Sequence, residues 1–553
     1  MAGPVTITFL GGLGEIGRNC AAFETEGRIV LLDCGLMFPD DDMSGVDLVL
    51  PDFGWLLERA SDIDGVILTH GHEDHVGSLH YLLAEVNVPI YGSELTLGLA
   101  RGRLDEAGIK DLRLHPVRDG EHRKIGPFEC EFLPVTHSVP HGFATAFHTA
   151  QGTILHTGDF KLDLTPVDGR LTDLARIGAM ASTHGIRLLL SDSTNADQHG
   201  HARSETSIGS VLYDLMHESA GRRVITACFA SHIHRVQQIA DAAVSFGRVV
   251  APLGRSMRRN IAIAREMGVL DIPERSLVDI EDIGQFEPGQ VCVVSTGSQG
   301  EPMSALALMA SGDNRWLKIT PDDTVILSSH PIPGNENAVT KVIDNLVRLG
   351  AEVVHSGISD VHATGHAKAE DLKLFLSVAK PEWFTPVHGE YRHLVAHGRL
   401  AGLMGVPADH VVIAEDGDVL VVDDHGVRVD GNVPAEYVYV HGTVGDVSAT
   451  TLGERRILGD EGVVTIIVCV DTERADLLAG PEVATRGWVG HDDVEDLSKR
   501  IVERVRTNVV AALSEGKPVQ RAALEKVIRR AAGSTVSELT RRRPMIVPVV
   551  VQA

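Results

Sequence analysis

The run HGHEDH at residues 70–75, directly after the apolar stretch GVILT, constrains this chain more than any other feature. It supplies four imidazole or carboxylate groups within six residues, namely His70, His72, Asp74 and His75. A turn at the end of a strand can direct the first two groups at one point and the last two at a neighbouring point. Such groups are ligands of Zn²⁺ and of other divalent ions. The motif therefore predicts two adjacent metal sites at the end of a buried strand.

Further candidate ligands follow apolar runs farther along the chain: His137, Asp159 and His388. Asp159, in the turn HTGDF, is the expected bridging carboxylate because one side chain offers two oxygens. The nitrogen and oxygen donors favour Zn²⁺, and the share of oxygen keeps Mn²⁺ as an alternative. Two ions about 3.5–4 Å apart can activate water and offset the charge on an attacked ester. The expected chemistry is therefore hydrolysis without a serine or cysteine nucleophile.

The length of 553 residues exceeds what one hydrophobic core usually holds, so two or three domains are expected. The six cysteines form no paired motif, which favours reduced thiols in the cytoplasm. The N-terminal sequence lacks a secretion signal, and no apolar run has the length needed to cross a membrane. We therefore expect a cytoplasmic protein with no membrane association.

Short apolar runs alternate with polar turns over the first 200 residues, which is typical of buried strands. Helix-like segments appear from about residue 206, and the histidine-rich loops return from about residue 358, so the first α/β unit is expected to carry an inserted second one. The expected boundaries are 1–205 and 358–440 for the first domain, 206–357 for the insertion, 441–455 for a linker and 456–553 for a C-terminal α/β domain.

Within the C-terminal part, apolar residues recur every four positions and predict one buried face of a helix: Leu497, Ile501, Val505 and Val509. The basic triplet 541–543 precedes an apolar strand. It could contact a nucleic acid, but we favour a role in keeping a strand edge soluble.

The formal charge of −26 argues against a protein that coats nucleic acid without selectivity. Residues 221–270 nevertheless carry eight arginines against one aspartate and one glutamate. This arginine cluster is either a solvated charged surface or a groove for a polyanion. The chain holds only 14 phenylalanines, 6 tyrosines and 4 tryptophans, so a bound strand would be held chiefly through its phosphates, with weak sequence preference.

The segment GGLGEIG has the glycine spacing of a dinucleotide-binding loop, with Gly12, Gly14 and Gly17 in place and Asp33 ending the next strand. The fingerprint requires a phosphate-binding helix after the glycines. A strand-like segment follows instead, so a tight turn beneath the metal site is the favoured interpretation.

The ligand pattern resembles that of the metallo-β-lactamase superfamily, and the inserted unit resembles the β-CASP domain of its nucleic-acid branch. Motifs spread over nearly the whole chain resemble bacterial ribonuclease J, among them GGLGEIGRN, LLLSDSTNA, ASHIHRVQQIA, STGSQGEPMSAL, HATGHA and PVHGEYRHL. The resemblance implies a metallo-β-lactamase αββα sandwich with an inserted β-CASP α/β domain and a small C-terminal α/β domain. It implies an enzyme that cuts RNA 5′ to 3′ from a monophosphorylated end, and also internally, in RNA decay and in the maturation of RNA, including ribosomal RNA.

The resemblance also implies residue roles. One metal would be held by His70, His72, His137 and Asp159, and the other by Asp74, His75, His388 and the shared Asp159. The implied catalytic residues are Asp74, Asp192 and His366, and His366 would contact the scissile phosphate. The expected substrate-binding residues are Ser231, His234, Arg255, Thr364, Gly365 and His366. His232 stands where the family more often has asparagine, which leaves the detail of the phosphate pocket open.

The implied partners are single-stranded RNA, other proteins of RNA decay, and further copies of the chain in a dimer or tetramer formed through the C-terminal domain. Two alternative functions remain open at this point. A hydrolase of small esters or lactams would need only the metal domain. A catalytically silent RNA-binding scaffold would not need all seven ligands.

Overall fold

The computed structural model describes residues 3–40, 42–332, 334–442, 447–471, 474–514 and 520–553, with the backbone alone at 491–493. The chain divides into two compact units. The first unit contains Met1–Phe38 and Leu48–Val438, and the second contains Pro39–Asp47 and Tyr439–Ala553. Among the described residues, no helix combines the length and the apolar character needed to cross a membrane.

The first elements of the larger unit are β1 (Val5–Gly11), β2 (Leu13–Gly14), β3 (Cys20–Thr25), β4 (Arg28–Leu32), β5 (Leu48–Leu50), α1 (Gly54–Leu57), β6 (Ile63–Ile67), α2 (Glu73–Val76), α3 (Leu79–Glu85), β7 (Ile90–Gly92), α4 (Glu94–Glu106), β8 (Leu114–Pro116), β9 (His122–Ile125), β10 (Phe128–Pro134), β11 (Phe143–Thr149), β12 (Gly152–His156), α5 (Leu174–Thr183) and β13 (Ile186–Asp192). The next are α6 (Thr206–Glu218), β14 (Arg223–Ala227), α7 (Ile233–Ser245), β15 (Val249–Leu253), α8 (Arg255–Glu266), β16 (Val291–Ser295), α9 (Ala305–Ala310), β17 (Asp323–Leu327), α10 (Glu336–Arg348) and β18 (Glu352–His355).

The remaining elements are α11 (Ala369–Ala379), β19 (Trp383–Val387), β20 (Gly389–Glu390), α12 (Tyr391–Leu403), β21 (Asp418–Asp423), β22 (Gly426–Asn432), β23 (Val438–Val440), α13 (Ala449–Glu461), β24 (Val463–Asp471), β25 (Asp476–Arg486), α14 (His491–Leu513), α15 (Arg521–Thr540) and β26 (Met545–Gln552). Short 3₁₀ helices lie at Ala60–Asp62, Glu274–Ser276, Ile280–Gln285, Pro288–Gln290 and Ala408–His410.

Two large sheets pack face to face in the first unit. Their strand orders are β22-β21-β1-β3-β4-β6-β7-β8 and β19-β13-β12-β11-β10-β9. Alternate strand residues of both sheets fill the layer between them, where the rings of Phe23 and Phe147 stack at 4.1 Å. Helices α3 and α4 cover the outer face of the first sheet, and α5, α11 and α12 cover that of the second. The predicted αββα sandwich is therefore confirmed.

The predicted insertion is confirmed by the strand order of the second sheet. Strands β13 and β19 are parallel neighbours, with Leu188 opposite Trp383, although almost 200 residues separate them in the chain. The chain between these two strands forms a separate parallel sheet of order β15-β16-β14-β17-β18, which has apolar layers on both faces. Both faces are buried, which is why these strands are continuous apolar runs in the sequence. Afterwards β21 and β22 rejoin the first sheet beside β1.

The second unit is built on a sheet of order β25-β24-β26, and α14 and α15 supply its core. Ile501, Val505 and Val509 are fully buried there, and Leu497 packs against them, so the predicted helix face is confirmed. Of the expected linker 441–455, residues 443–446 lie outside the described residues. Its last part, from Ala449, belongs to helix α13.

Candidate two-metal active site

The HGHEDH motif follows β6 and forms a turn that runs into the short helix α2. His72 has extended backbone just before the helix, whereas Asp74 and His75 lie within it. His70 and His75 are buried, and His72 and Asp74 are partly exposed. The motif was predicted as a loop, and its second half is a helical turn.

The other three predicted ligands also follow strand ends. His137 comes after β10, Asp159 after β12, and His388 directly after β19. Strands β10 and β12 both run antiparallel to β11, and β12, β13 and β19 are parallel, so these strands all end at one edge of their sheet. Because the strands converge there, the three ligands are buried: His137, Asp159 and His388 are each at most 4% exposed.

The seven predicted ligands form two groups that share Asp159. In the first group, Nδ1 of His72 lies 3.0 Å from Nε2 of His70 and 3.2 Å from Nε2 of His137. Asp159 Oδ2 lies 3.6 Å from Nε2 of His70 and 3.8 Å from Nε2 of His137. The candidate donor atoms of each group all lie within 4.8 Å of one another.

The second group contains Asp74, His75, His388 and Asp159. Nε2 of His75 lies 3.3 Å from Asp159 Oδ2 and 3.6 Å from Asp74 Oδ2. Nε2 of His388 lies 3.3 Å from Asp74 Oδ2. The structure therefore brings together the two sets of residues that the resemblance implied, and Asp159 belongs to both sets.

These distances fit divalent metal ions. Tetrahedral ligands at about 2.0–2.1 Å from an ion lie roughly 3.3 Å from one another, close to the spacings between these donor atoms. Asp159 Oδ1 is buried and accepts no hydrogen bond within the described residues. A buried carboxylate oxygen without a partner is costly, so a cation at this position would stabilise it.

Outer hydrogen bonds orient the imidazoles. Nδ1 of His75 lies 2.7 Å from Asp33 Oδ2, and Nδ1 of His137 lies 2.7 Å from the carbonyl oxygen of Gly365. Nδ1 of His388 lies 2.7 Å from the hydroxyl of Thr194. In each case the other ring nitrogen is left to face the metal position, which is the usual second layer around histidine ligands.

Burial and neighbouring charges shift the pKa values of the cluster in both directions. Burial, with neighbouring imidazoles, lowers the pKa of His70 and His137 well below the usual range and that of His72 to about 4. Burial also opposes the charged form of His75 and His388, yet nearby carboxylates, Asp159 foremost, raise the pKa of His75 well above its usual value and that of His388 to about 10. Positive groups therefore cluster around the carboxylates, where a metal would take their place.

The predicted residues Asp192, Thr364, Gly365 and His366 line the same site. Asp192 Oδ2 lies 2.7 Å from Nδ1 of His366, whose ring lies between the rings of His137 and His388 at centroid distances of 5.0 and 5.5 Å. The backbone N–H of His366 donates to the Thr364 hydroxyl at 3.2 Å. A Cβ at Gly365 would lie 2.6 Å from the His137 ring, so glycine is needed there.

The remaining predicted substrate residues are placed differently. Ser231 lies in the loop before α7. In the same loop, the ring centroid of Phe229 lies 6.5 Å from that of His72. His234 is buried in α7 with Nε2 at 3.4 Å from Asp168 Oδ2. Arg255 begins α8 and is exposed. The structure thus brings the loop of Ser231 to the metal site, whereas neither His234 nor Arg255 makes a hydrogen bond or ion pair with a ligand among the described residues.

Most of the positive charge of the arginine cluster is offset by carboxylates that lie outside residues 221–270 in the chain. Most of its members pair with carboxylates outside residues 221–270: Arg223 with Asp323, Arg235 with Glu205, Arg258 with Asp279 and Glu281, Arg259 with Glu106, and Arg265 with Glu274. Arg248 is buried and donates to backbone carbonyls, as does Arg222. The interpretation as a polyanion groove therefore stays a prediction. Within residues 221–270, all of which the structure describes, Arg255 is the exposed arginine whose side chain makes no ion pair or hydrogen bond.

The glycine segment between β1 and β3 is not the tight turn that was predicted, because it contains a short strand. Leu13 and Gly14 form β2, which pairs with β20 directly after His388. The strand β3 follows, and no phosphate-binding helix does. Asp33, considered above as part of a nucleotide fingerprint, instead accepts from Thr69 and His75.

Sequence reasoning missed the outer residues Asp33, Thr69 and Thr194. Asp33 carried a usable signal, because a carboxylate that ends a buried strand near a metal motif has few other partners. Thr69 directly precedes the ligand His70, and Thr194 lies two residues after Asp192, and the sequence gives no other signal for either.

The fold and the paired ligand sets define this protein as a metal-dependent hydrolase of the metallo-β-lactamase class with a β-CASP insertion. The comparisons with known proteins agree. Residues 13–195 match the model of the metallo-β-lactamase superfamily, 221–346 the ribonuclease J β-CASP domain, 350–411 the Zn-dependent metallo-hydrolase RNA specificity domain, and 450–553 the ribonuclease J C-terminal domain.

The chain is 42% identical to ribonuclease J of Mycobacterium tuberculosis, over 100% of this chain and 98% of the relative. It is 40% identical to ribonuclease J of Thermus thermophilus, over 99% and 95%, and 35% identical to ribonuclease J2 of Bacillus subtilis, over 99% and 98%. The chain belongs to the ribonuclease J family. It is a metal-dependent ribonuclease that binds divalent metal and RNA.

Among solved structures, a protein of unknown function from Enterococcus faecalis V583 matches with a TM-score of 0.54 at 15% identity, over 76% of this chain and 100% of that one. This likeness concerns the fold alone. The family leaves the two alternatives, a hydrolase of small esters or lactams and a silent scaffold, without support.

Proposed function

We propose that this ribonuclease degrades RNA 5′ to 3′ from a 5′-monophosphorylated end and also cuts internally, in RNA decay and in the maturation of RNA such as ribosomal RNA. The observation that carries the proposal is the pair of ligand groups that share Asp159, next to His366 in the loop before α11 and its partner Asp192 at the end of β13. Two metal positions beside histidine and carboxylate side chains suit phosphodiester hydrolysis.

We assign Zn²⁺ to both positions, with Mn²⁺ as the alternative, because imidazole donors outnumber carboxylates. His70, His72, His137 and Asp159 would hold one ion, and Asp74, His75, His388 and Asp159 the other. When bound, such ions activate water and offset charge on the attacked phosphate. The chain's own residues position these ligands through Asp33, Thr194 and Gly365.

His366 would contact the scissile phosphate. Its Nδ1 donates to Asp192, which fixes the ring and leaves Nε2 free to donate to the leaving oxygen. Burial opposes protonation of His366, but Asp192 raises its pKa above the usual value. Thr364 holds the backbone of this loop in place, and Ser231, His234 and Arg255 are assigned to the RNA strand and its 5′-phosphate.

A comparison of two RNA ends tests the direction of cleavage. The purified protein is incubated with one RNA carrying either a 5′-monophosphate or a 5′-triphosphate, with a label distributed along the whole strand. We expect faster release of mononucleotides from the monophosphorylated RNA, and loss of release in the His366→Ala variant. Equal rates on both RNAs, or products that are only internal fragments, would contradict the exonuclease proposal.

We also propose the domain boundaries 1–205, 206–357, 358–440 and 456–553, and a dimer or tetramer formed through the C-terminal domain. Sedimentation of the whole chain and of a chain ending at residue 440 tests the assembly. A cytoplasmic location fits the free cysteines of the described residues, five of which are buried.

A further inference from the structure

A second cluster of histidines and a carboxylate lies away from the nuclease centre, on strands β9, β10 and β11 at the edge of the six-stranded sheet. His122 is opposite Glu131, and His148 is opposite Glu129, so the four side chains share one face. The opposite face carries Cys130 and Phe132 into the core between the sheets. The cluster therefore lies on the outer face, beside helix α5.

We propose that His122, Glu131 and His148 form a third metal site, which takes Zn²⁺. Nε2 of His148 and Nε2 of His122 lie 3.0 and 3.5 Å from the same oxygen, Oε2 of Glu131. These spacings match the roughly 3.3 Å between tetrahedral zinc ligands. The planes of the two imidazole rings differ by 7°, and their centroids lie 5.7 Å apart. Both rings therefore direct an edge nitrogen toward the same point.

The outer partners of this cluster repeat the pattern of the nuclease centre. Nδ1 of His122 lies 3.3 Å from Glu129 Oε1, and Nδ1 of His148 lies 3.3 Å from the Thr153 hydroxyl. A neutral imidazole carries only one N–H. If His122 donates through Nδ1 to Glu129, its Nε2 lone pair points at a carboxylate oxygen. Two lone pairs would then repel each other. A cation bound by both Nε2 of His122 and Oε2 of Glu131 would remove this repulsion, because each atom would donate its lone pair to the metal.

Glu131 is held ready for this role. It is 1% exposed as a residue, and Arg176 donates Nε to Oε1 at 2.6 Å and Nη2 to Oε2 at 3.0 Å. Each carboxylate oxygen has two lone pairs, so these bonds leave room for an ion. The positive charge of Arg176 lowers the affinity for a cation, so this site should lose zinc before the two nuclease positions. The His122 side chain is exposed, at 43%, which leaves a fourth position for water.

Zinc content measured by mass spectrometry after equilibrium dialysis tests the proposal on the full chain. The proteins are the wild type, His122→Ala, His148→Ala and the control His425→Ala, which changes an exposed turn histidine. We expect the wild type and the control to hold one more zinc per chain than the other two, with unchanged RNA hydrolysis in all four. None of the seven nuclease ligands is altered, so the outcome does not depend on the proposed cleavage direction.

Anomalous diffraction at the zinc edge should place a peak between His122, Glu131 and His148. Equal zinc content in all four proteins would overturn the proposal and leave the cluster as a hydrogen-bonded ion pair with Arg176. Should His148→Ala fail to fold, His122→Ala on the edge strand β9 suffices, and circular dichroism checks its fold.

Discussion

Replacement of Asp33 by asparagine tests how much the nuclease centre depends on a residue that touches no metal. Asp33 accepts three hydrogen bonds, from the backbone N–H and the hydroxyl of Thr69 at 2.7 and 2.8 Å and from Nδ1 of His75 at 2.7 Å. Its φ of 61° lies in the left-handed region, where asparagine is the best tolerated substitute after glycine. Asp33→Asn therefore changes the hydrogen bonding while it preserves the backbone.

The expected effect follows from donors and acceptors. In either orientation the asparagine amide places an NH₂ group where Asp33 now accepts, so His75 or the Thr69 N–H faces another donor. Loss of one hydrogen bond to a charged group costs about 1.5–3 kcal/mol. At 1.4 kcal/mol per factor of ten this is about 10–100-fold, which matches the usual cost of altering the outer partner of a ligating histidine. We expect that loss in zinc affinity at the His75 position and in kcat/KM.

The assay is hydrolysis of a 5′-monophosphorylated RNA over a series of free zinc concentrations. High zinc should restore part of the activity of Asp33→Asn, because the ligand atoms remain. Asp424→Asn, an exposed carboxylate in the turn between β21 and β22, is the matched control and should behave as the wild type. Zinc affinity and kcat/KM within twofold of the wild type in Asp33→Asn would refute the argument.

Three further substitutions probe other parts of the chain. His388→Ala should lower RNA turnover at least 100-fold, with RNA affinity in filter binding within about fivefold, because a buried ligand is lost; a parallel loss of binding would contradict this. Arg235→Met should cost about 3–5 kcal/mol in urea unfolding, because the buried Glu205 loses its paired guanidinium and keeps only the more distant His232 and Lys161, at 3.2 and 4.0 Å; a loss under 1 kcal/mol would count against the pairing. Ile501→Ala should destabilise the C-terminal unit by about 2–5 kcal/mol in thermal unfolding, with zinc content unchanged; an unshifted transition would exclude a core role.

The metal ligands could be predicted from the sequence because the signal was local. Four of them lie in six residues after an apolar strand, and His137, Asp159 and His388 each follow a strand end. Strand ends of parallel neighbours meet at one edge of a sheet, so the sequence pattern implied proximity. Apart from Asp33, which follows a strand end, the residues that hydrogen-bond to the ligands have no such pattern. Thr194 contacts His388 across almost 200 residues of chain, and nothing local marks that pairing.

The arginine cluster shows why local counting fails for charge. Arg223 pairs with Asp323, 100 residues away, and Arg235 pairs with Glu205, 30 residues upstream. The net charge counted over residues 221–270 does not include the carboxylates that the fold brings to these arginines from other parts of the chain. In a parallel sheet, neighbouring strands are separated by whole helices, so such distant partners are the rule.

The loop that should select RNA also builds the metal centre. The Gly365 carbonyl accepts from Nδ1 of the ligand His137, and the next residue, His366, bonds Asp192. This loop belongs to residues 350–411, which match the RNA specificity model and also supply His388. A metallo-β-lactamase domain that ended at β13 would therefore lack one ligand and the orientation of another. If these residues contact RNA as proposed, that contact and the metal geometry cannot vary independently, because a shift of the 364–366 backbone would move the His137 ring.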